Sequence, residues 1–501
     1  MPDLPDPDAD LVRALRADFA AAGYTVDGVQ DALGPVAAAA LHREQSLPAD
    51  LATRERTDAL AVLVRLFALG RSVPRDLLGL ALPTLGLTGL ERLGLVVGGD
   101  DVRAVCDLRP YADEAHDWWV ASDLLERVTG APLREDHVLG IGPASTTLAA
   151  WTVRRPVARA LDLGTGCGVQ ALHLASHVGA IVATDVSSRA LAYARFNAAL
   201  AGIDLDLRRG DLFEPVAGER FDLVVSNPPF VITPRAEGVP FFEYRDGGVV
   251  GDGMVEALVR QVGDVLEPGG VAQLLGNWEV RQGTTWRERW RTWLAGTSLD
   301  AWVVQREEQD PAEYAELWAR DGGSRAGVEG FEALYEAWLA DFAGRDVVRI
   351  GFGIVTLQRP LTDRPPWLDL AEATGPVAPA MGAAVEAGLA ARTWLAVHGD
   401  DGLLDTAWRC APDVTEERHT RPGEEHPGVI MVRQGGGLRR ALQVDTVLAG
   451  LVSVCDGSLT ARQALGAIAE LLDLDAGAVA VAALPTLRDL VADGLLVADL
   501  G

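Results

Sequence analysis

One segment of the chain constrains the fold more than any other, because it joins a buried strand to a glycine-rich turn. A predicted buried strand at 159–163 leads into Gly-Thr-Gly-Cys-Gly at 164–168, and a helical pattern begins at Val169. The glycines let the backbone approach a ligand closely, and the start of the helix offers unpaired N–H groups to a carboxylate or phosphate. The segment predicts a nucleotide-like ligand. Considered alone, it also fits a tight turn without a ligand.

Strand and helix patterns alternate from about residue 131 to 360. This alternation predicts an α/β domain with a Rossmann-like, doubly wound and mostly parallel sheet, covered by helices on both faces. Seven strands are expected, at residues 159–163, 180–185, 205–209, 221–226, 271–276, 301–308 and 347–358. The last strand closes the domain after two helical segments, which do not form the usual right-handed strand–helix–strand crossover. We therefore expect this strand to run antiparallel.

The flanking segments, 1–130 and 365–501, predict two smaller α+β domains with winged-helix-like shapes. Residues 1–130 are mostly helical and end in a hairpin pattern over 94–108. A proline-rich join at 359–366 separates the central domain from the last one, because consecutive prolines stop helices and central strands. The last domain shows helical patterns and then a short strand, at 444–454, 460–472, 478–492 and 494–497. For residues 1–130 a packing or lid role is favoured over nucleic-acid binding, since the region is not basic.

Charge and cysteine content exclude several classes of protein. The 501 residues include 72 acidic and 44 basic side chains, the latter all arginine, which gives a formal net charge of −28. Such a surface repels phosphate backbones, so broad nonspecific nucleic-acid binding is not expected. The four cysteines lie far apart without metal-ligand spacing, which argues against a metal site and disulfides. With no apolar run of about 18 residues and no basic, apolar leader, we expect a cytoplasmic protein without a membrane partner.

Acidic residues end the next two predicted strands. Asp185 follows the strand at 180–185, and its carboxylate suits the two hydroxyls of an adenosine ribose. A nicotinamide dinucleotide and S-adenosylmethionine both satisfy this pattern, and a helix N-cap before Ser187 is the alternative without a ligand. Asp211 ends the third strand, where it suits an adenine amine with Leu212 against the ring.

The fourth strand end decides between these ligands. The strand at 221–226 leads into the motif Asn227-Pro228-Pro229-Phe230. The chemistry of a dehydrogenase does not require this motif. The prolines fix the backbone so that the Asn227 side-chain oxygen and the Pro228 carbonyl can both accept hydrogen bonds from one –NH₂ group, while Phe230 stacks on its planar system. This arrangement predicts methyl transfer from a sulfonium to a planar nitrogen, supported by orientation and electrostatics.

Over about 140–280 the chain resembles class I S-adenosylmethionine-dependent methyltransferases with an Asn-Pro-Pro-Tyr or Asn-Pro-Pro-Phe motif. Residues 227–234 are similar to the archaeal and eukaryotic branch of the release-factor glutamine methyltransferases, and 210–215 to the segment before their motif. The glycines at 247–253 are similar to that family's glycine-rich segment. Phe230 also resembles the small-domain enzymes that methylate guanine amines of ribosomal RNA.

The resemblance implies S-adenosyl-L-methionine as the cofactor and an amide or amino nitrogen as the acceptor. The acceptor belongs to a macromolecule, either as a glutamine side chain of a translation protein or as an exocyclic amine of an RNA base. The candidate cofactor-binding residues are Asp162, Gly164, Thr165, Gly166, Gly168, Asp185, Asp211, Leu212 and Asn227, and the candidate catalytic residues are Asn227, Pro228, Pro229 and Phe230.

Two alternatives stay open. The winged-helix-like ends also fit a cofactor-sensing regulator or binding module without turnover, although a sensor has no need for two acceptors directed at a substrate amine.

In addition, we expect the first domain, or the lead-in at 136–147, to cover the cofactor side of the sheet, because an open crevice needs walls that exclude water. A plain interdomain loop at 136–147 is the alternative.

Overall fold

The computed structural model describes residues 7–43, 45–236, 238–324, 327 and 330–498. The chain divides into two compact units. The first comprises Met1–Leu148, Pro156–Thr297 and Glu308–Phe352, and the second comprises Ala149–Arg155, Ser298–Glu307 and Gly353–Gly501. Among the described helices, none is both long enough and apolar enough to cross a membrane.

The N-terminal part of the first unit is mostly helical, as predicted. Its elements are α1 Ala9–Ala21, α2 Val26–His42, α3 Leu47–Thr53, α4 Ala59–Leu63, β1 Val73–Pro74, α5 Arg75–Ala81, α6 Gly86–Arg92, β2 Val96–Gly98 and β3 Asp101–Ala104. β2 and β3 pair antiparallel with Val96 opposite Ala104, which confirms the predicted hairpin over these residues. Leu108, which the prediction placed in the same hairpin, lies in the next strand.

A second hairpin and two helices lead into the central sheet. They are β4 Asp107–Ala112, β5 Asp117–Ser122, α7 Glu126–Thr129 and α8 Pro143–Trp151. β4 and β5 pair antiparallel with Leu108 opposite Ala121. Both of these residues are buried in one apolar core with the helices of the N-terminal part, so the hairpin extends that core.

Strands and helices then alternate as the sequence predicts. The elements are β6 Val157–Leu163, α9 Val169–Leu174, β7 Val178–Asp185, α10 Ser188–Ala201, β8 Asp206–Arg209, β9 Phe221–Ser226, α11 Gly253–Gln261, β10 Leu266–Arg281, α12 Trp286–Leu294, β11 Asp300–Gln309, α13 Pro311–Asp321, α14 Phe331–Gly344, β12 Val347–Gln358 and β13 Leu368–Glu372. The core strands are near-continuous apolar runs, which is typical of a sheet buried on both faces.

Within the described residues the central sheet has eight strands, in the order β13-β11-β12-β10-β9-β6-β7-β8. The pairs β6–β7, β6–β9, β7–β8, β9–β10 and β11–β13 are parallel. The α/β, doubly wound fold class is therefore confirmed, with one strand more than the seven predicted. The extra strand, β13, follows the proline-rich join and has only five residues. The antiparallel direction of the strand at 347–358 stays a prediction.

The C-terminal part has its own small sheets and helices. The elements are α15 Gly382–Asp405, β14 Arg409–Cys410, β15 Val414–His419, β16 Val429–Gln434, β17 Ala441–Val444, α16 Thr446–Val454, α17 Ala461–Leu471, α18 Ala476–Ala492 and β18 Leu496–Val497. The predicted helices and final strand are confirmed, and Thr460 and Gln463 form a capping box at the start of α17. The winged-helix likeness of both ends, and the division into domains 1–130, 131–360 and 365–501, stay predictions.

A buried carboxylate joins the end of β5 to α10. Asp123 accepts hydrogen bonds from Arg189 Nε at 3.0 Å, Tyr193 Oη at 2.8 Å and the Val138 backbone N–H at 2.9 Å. Asp123 and Arg189 are both buried, and each neutralises the charge of the other, which would be costly inside the protein if it were unpaired. This cluster fixes the lead-in before β6 against α10.

Asn197 on α10 makes a second buried connection. Its side chain pairs with the backbone of Ala121 through bonds of 2.8 and 2.9 Å, and it also donates to the carbonyl of Cys167 at 2.8 Å. Cys167 lies in the glycine-rich turn after β6. The N-terminal part of the unit thus helps to hold that turn in place.

We expect Tyr193→Phe to lower the free energy of unfolding by about 1.5–3 kcal/mol, because it removes the hydrogen bond to the buried Asp123, together with a longer one of 3.4 Å from Arg189, and leaves the ion pair intact. Urea denaturation measures the change. The matched control is Tyr335→Phe, whose hydroxyl donates to Glu316 at 3.2 Å on the surface and should matter by less than about 0.5 kcal/mol. Equal effects of the two substitutions would contradict the assignment.

Candidate active site

A cavity of about 310 Å³ lies at the carboxyl ends of the central strands. In the sheet, β6 lies between β9 and β7, so the chain order reverses at β6. Ligands of open α/β sheets bind in the crevice at such a point. The walls come from the lead-in, the ends of β6, β7, β8 and β9, residues 241–248 and the start of α11.

The glycine-rich turn forms the floor beside β6. Gly164 and Gly166 have φ values of +71° and +56°, which side chains other than glycine rarely adopt. The backbone N–H groups of Gly164 and Thr165 both donate to the Thr184 carbonyl at 2.9 Å, and Gly166 N–H donates to Asp185 Oδ2 at 2.9 Å. A Cβ atom on Gly164 or Gly166 would meet open space, so the turn leaves room for a ligand.

Asp162 supports this turn from below. It is fully buried, and its Oδ2 accepts hydrogen bonds from Thr165 Oγ1 at 2.7 Å and from the Ala171 N–H at 3.0 Å. Oδ1 is buried without a hydrogen-bond partner. Burial, together with the negative charge of Asp185, raises the pKa of Asp162 to about 7.

Asp162 should make stability depend on pH. The folded protein keeps a proton on this carboxyl up to about pH 7, whereas the unfolded chain releases it near 3.8. The folded state therefore binds more protons, and the free energy of unfolding falls as the pH rises between these values. Asp162→Asn should remove this slope, on the order of 1.4 kcal/mol per pH unit. Urea denaturation across the interval measures it, with Asp117→Asn on the surface as the control. Parallel pH profiles for wild type and Asp162→Asn would contradict the prediction.

Asp185 ends β7 and lines the cavity. Its Oδ1 accepts the Ser187 N–H at 2.9 Å, and its Oδ2 accepts the Gly166 N–H. Burial raises the pKa of this carboxyl. The N-cap of α10 is Ser187, so Asp185 does not have the capping role that was the alternative. A carboxylate has about four acceptor positions, which leaves two for hydroxyl groups of a ligand.

Asp211 and Leu212 line the far side of the cavity, after β8. Leu212 has a φ of +43°, which is uncommon for a residue with a branched side chain. The Asp211 carbonyl accepts the Glu214 N–H at 3.0 Å and so tightens this turn. The turn brings a carboxylate and an apolar side chain to the same part of the cavity.

Asn227 directly follows β9 and lies on the wall shared with the glycine-rich turn. Its Oδ1 is buried and has no hydrogen-bond partner among the described residues. Pro228 and Pro229 also line the cavity. The Pro228 carbonyl accepts the Phe230 N–H at 2.7 Å, which leaves it one further lone pair. The motif therefore presents two acceptors, one of them without any partner.

Three predicted site residues, Asp162, Gly168 and Phe230, lie outside the cavity lining. Gly168 has a φ of +90°, and a Cβ there would contact Ala194 Cα at 3.4 Å, so this glycine serves the packing of α10. The Phe230 ring lies edge-on to Trp318, with 6.4 Å between centroids. Stacking of Phe230 on a substrate stays a prediction.

In the structure, a motif with two hydrogen-bond acceptors lies beside strand ends that carry carboxylates. The sequence predicted this arrangement for a methyltransferase. Residues 140–288 match the model of the methyltransferase small domain. Residues 21–105 and 386–498 match two models that are each described as a domain of unknown function, DUF7059 and DUF7782. The predicted resemblance to methyltransferases of this kind is confirmed.

Three of the curated relatives match between 23% and 37% of the chain. The ribosomal protein uL3 glutamine methyltransferase of Bradyrhizobium diazoefficiens is 35% identical over 149 residues, which are 28% of this chain and 46% of that protein. The release factor glutamine methyltransferase of Geobacter sulfurreducens is 39% identical over 127 residues, or 23% and 45% of the two chains. The ribosomal RNA small subunit methyltransferase C of Salmonella arizonae is 28% identical over 189 residues, or 37% and 49%. The chain thus spans about half the length of the curated relatives it matches.

The methyltransferase small domain also contains cavity residues that the sequence did not indicate. The segment 241–248 contributes Glu243, Tyr244 and Asp246. Asp246 accepts the Phe242 N–H at 2.7 Å and is bonded to the Thr233 hydroxyl, which holds the segment against the motif. The sequence has an aromatic and acidic run here, Phe-Phe-Glu-Tyr at 241–244, but distant contacts place this run in the cavity wall.

The lead-in at 136–147 forms another wall of this cavity. It is one of the two segments that were predicted to cover the cofactor side of the sheet. His137, Leu139 and Ser145 line the cavity, and Gln170 Nε2 donates to the Ser145 carbonyl at 2.8 Å. Residues 1–130, as far as the structure describes them, contribute nothing to the lining. The first domain therefore supports α10 and the turn from outside the cavity.

Proposed function

We propose that this chain is an S-adenosylmethionine-dependent N-methyltransferase that acts on a planar amide or amino nitrogen. The observation that carries the proposal is the buried, unpartnered Oδ1 of Asn227 at the edge of a cavity built from acidic strand ends. A buried acceptor without a partner is costly, and a ligand N–H would satisfy it.

The residues present fit this cofactor. Gly164 and Gly166 leave space beside the start of α9, Asp185 has acceptor positions for ribose hydroxyls, and Asp211 with Leu212 suits an adenine. The described lining contains four carboxylates and no arginine. Such a cavity disfavours the pyrophosphate of a nicotinamide dinucleotide and favours a ligand with positive charge. When bound, S-adenosylmethionine supplies an electrophilic methyl group on a sulfonium.

Asn227 and Pro228 would orient the acceptor nitrogen. The Asn227 Oδ1 and the remaining lone pair of the Pro228 carbonyl accept the two hydrogens of one –NH₂ group, which fixes the direction of the nitrogen lone pair. The same two acceptors stabilise positive charge as it develops on the nitrogen. Pro229 stiffens the backbone, so this geometry exists before the substrate arrives.

A glutamine amide of a protein is the acceptor that the site supports best. Two relatives are named for glutamine methylation and one for ribosomal RNA. An RNA acceptor brings phosphates with its base, and the described cavity lining offers no arginine to them. The chain as a whole carries a net charge of −28, which adds long-range repulsion.

One experiment tests the proposal as a whole. The protein is incubated with radiolabelled S-adenosylmethionine and a cell lysate, and the products are treated separately with protease and with ribonuclease. We expect protease to release the label. Release by ribonuclease would assign the reaction to an RNA amine, and binding of the cofactor without any labelled product would favour the sensor.

A further inference from the structure

Glu243 is a half-buried carboxylate of the cavity whose side chain has no hydrogen-bond partner among the described residues. Its Oε2 is buried and accepts no hydrogen bond from them. Its backbone N–H donates to the Glu135 carbonyl at 2.9 Å, so the residue is tied to the lead-in. Its negative charge is also among the causes that raise the pKa of the neighbouring Asp185. The side chain is therefore held beside the position predicted for the ribose.

The other carboxylates of the cavity differ from Glu243 in this respect. Asp185 accepts two backbone N–H groups, and Asp246 accepts the Phe242 N–H and lies 3.5 Å from Arg245 Nε. Asp211 is exposed to solvent. Among the carboxylates of the described cavity wall, Glu243 alone combines a buried oxygen with a side chain that makes no hydrogen bond or ion pair.

No basic side chain of the cavity balances this charge. The described lining contains no arginine, and the chain has no lysine. His137 lines the same wall and is only 4% exposed, and burial lowers its pKa, so the imidazole is neutral at physiological pH. Its Nε2 is likewise buried without a hydrogen-bond partner. A cationic ligand would therefore meet no competing positive charge from the described lining.

We propose that Glu243 recognises the positive charge of the sulfonium cofactor. The proposal rests on the proposed function, since it takes S-adenosylmethionine as the ligand. A carboxylate oxygen that is buried without a partner costs free energy, and a cation bound nearby recovers it. The thioether product carries no charge at sulfur, so the same carboxylate holds it less tightly. Glu243 thereby makes the cavity prefer cofactor over product and favours product release.

Isothermal titration without an acceptor substrate tests this inference through binding alone. The ligands are S-adenosylmethionine, the neutral S-adenosylhomocysteine, and sinefungin, in which a carbon bearing an amine replaces the sulfonium. For wild type we expect tighter binding of the two ligands with the extra charge. Glu243→Gln should weaken these two by about tenfold and change the affinity for S-adenosylhomocysteine by less than about twofold.

Two variants make the result specific. Glu243→Asp keeps the charge and should keep the preference, so it decides the matter even if Glu243→Gln does not fold. Asp211→Asn removes an exposed carboxylate, whose charge water screens, and should weaken charged and neutral ligands alike.

Three outcomes would overturn the inference. If Glu243→Gln weakened the binding of all three ligands equally, Glu243 would act through its shape or its hydrogen bonds and not through its charge. Equal affinity of wild type for the three ligands would remove the charge preference itself. If wild type binds none of them, the proposed function fails as well, which separates that failure from the other two.

Discussion

Asn227→Ala should lower the rate of methyl transfer by about 10²–10³-fold while the affinity for S-adenosylmethionine changes far less. Asn227 Oδ1 is one of two acceptors proposed to hold the substrate nitrogen, and it has no hydrogen-bond partner among the residues that the structure describes. Its loss removes stabilisation that acts on the substrate. The cofactor keeps the glycine-rich turn and the carboxylates of Asp185 and Asp211.

The experiment separates binding from chemistry. Isothermal titration follows cofactor affinity, and single-turnover methyl transfer to the polymer identified in the lysate follows the chemical step. Asn227→Asp keeps an oxygen at the same position, so it should lose less activity than Asn227→Ala. Thermal unfolding shows whether each variant is folded. Transfer at the wild-type rate by folded Asn227→Ala would reduce Asn227 to a turn residue and remove the support for an amide or amino acceptor.

The strand ends could be predicted because each one is a local pattern. An apolar run followed by glycine, aspartate or Asn-Pro-Pro identifies the end of a parallel strand without knowledge of the rest of the chain. The strand expected at 271–276 is longer in the structure, at Leu266–Arg281. The strand includes Pro-Gly-Gly at 268–270, which a shift in register between Leu266 and Val271 accommodates.

The wall formed by 241–248 could not be predicted, because distant contacts place it. Tyr244 Oη and Arg245 both donate to Asp321 Oδ2 at 2.8 Å, and Arg245 also donates to the Trp318 carbonyl at 2.9 Å. These partners lie more than seventy residues further along the chain, in α13. A local pattern carries no information about such pairs. Glu243 was missed for this reason, although it lies only a few residues after the motif.

Phe230 shows a different limit. The sequence motif predicts that the ring stacks on the substrate, and this stays a prediction; in the structure the half-buried ring packs with Trp318 and against an apolar core that includes Ile232 and Tyr314. Tyr314 Oη in turn accepts the Ile232 N–H at 2.9 Å. A motif read from sequence gives the order of the residues and their backbone constraints. It does not show whether a side chain such as that of Phe230 points toward the substrate or toward a neighbouring apolar core.

Asp185→Ala should weaken the binding of S-adenosylmethionine and S-adenosylhomocysteine by about 10²-fold or more. Each hydrogen bond from a ribose hydroxyl to a carboxylate contributes about 1.5–3 kcal/mol, and two are proposed here. The substitution also removes the acceptor of the Gly166 and Ser187 N–H groups, so the turn that faces the cofactor loses its anchor. Both losses act on the cofactor, whether or not an acceptor substrate is present.

Asp185→Asn should have an intermediate effect. Asparagine keeps one acceptor oxygen, which can accept the Gly166 N–H or the Ser187 N–H but not both, so it should loosen the turn less than alanine does and also lose the contribution of the charge to the ribose bonds. We therefore expect an affinity between those of wild type and Asp185→Ala. Isothermal titration with S-adenosylhomocysteine measures all three proteins. Because burial raises the pKa of Asp185, wild-type affinity should fall as the pH drops through that raised pKa, whereas Asp185→Asn should not follow it. An unchanged dissociation constant in folded Asp185→Ala would place the ribose elsewhere in the cavity.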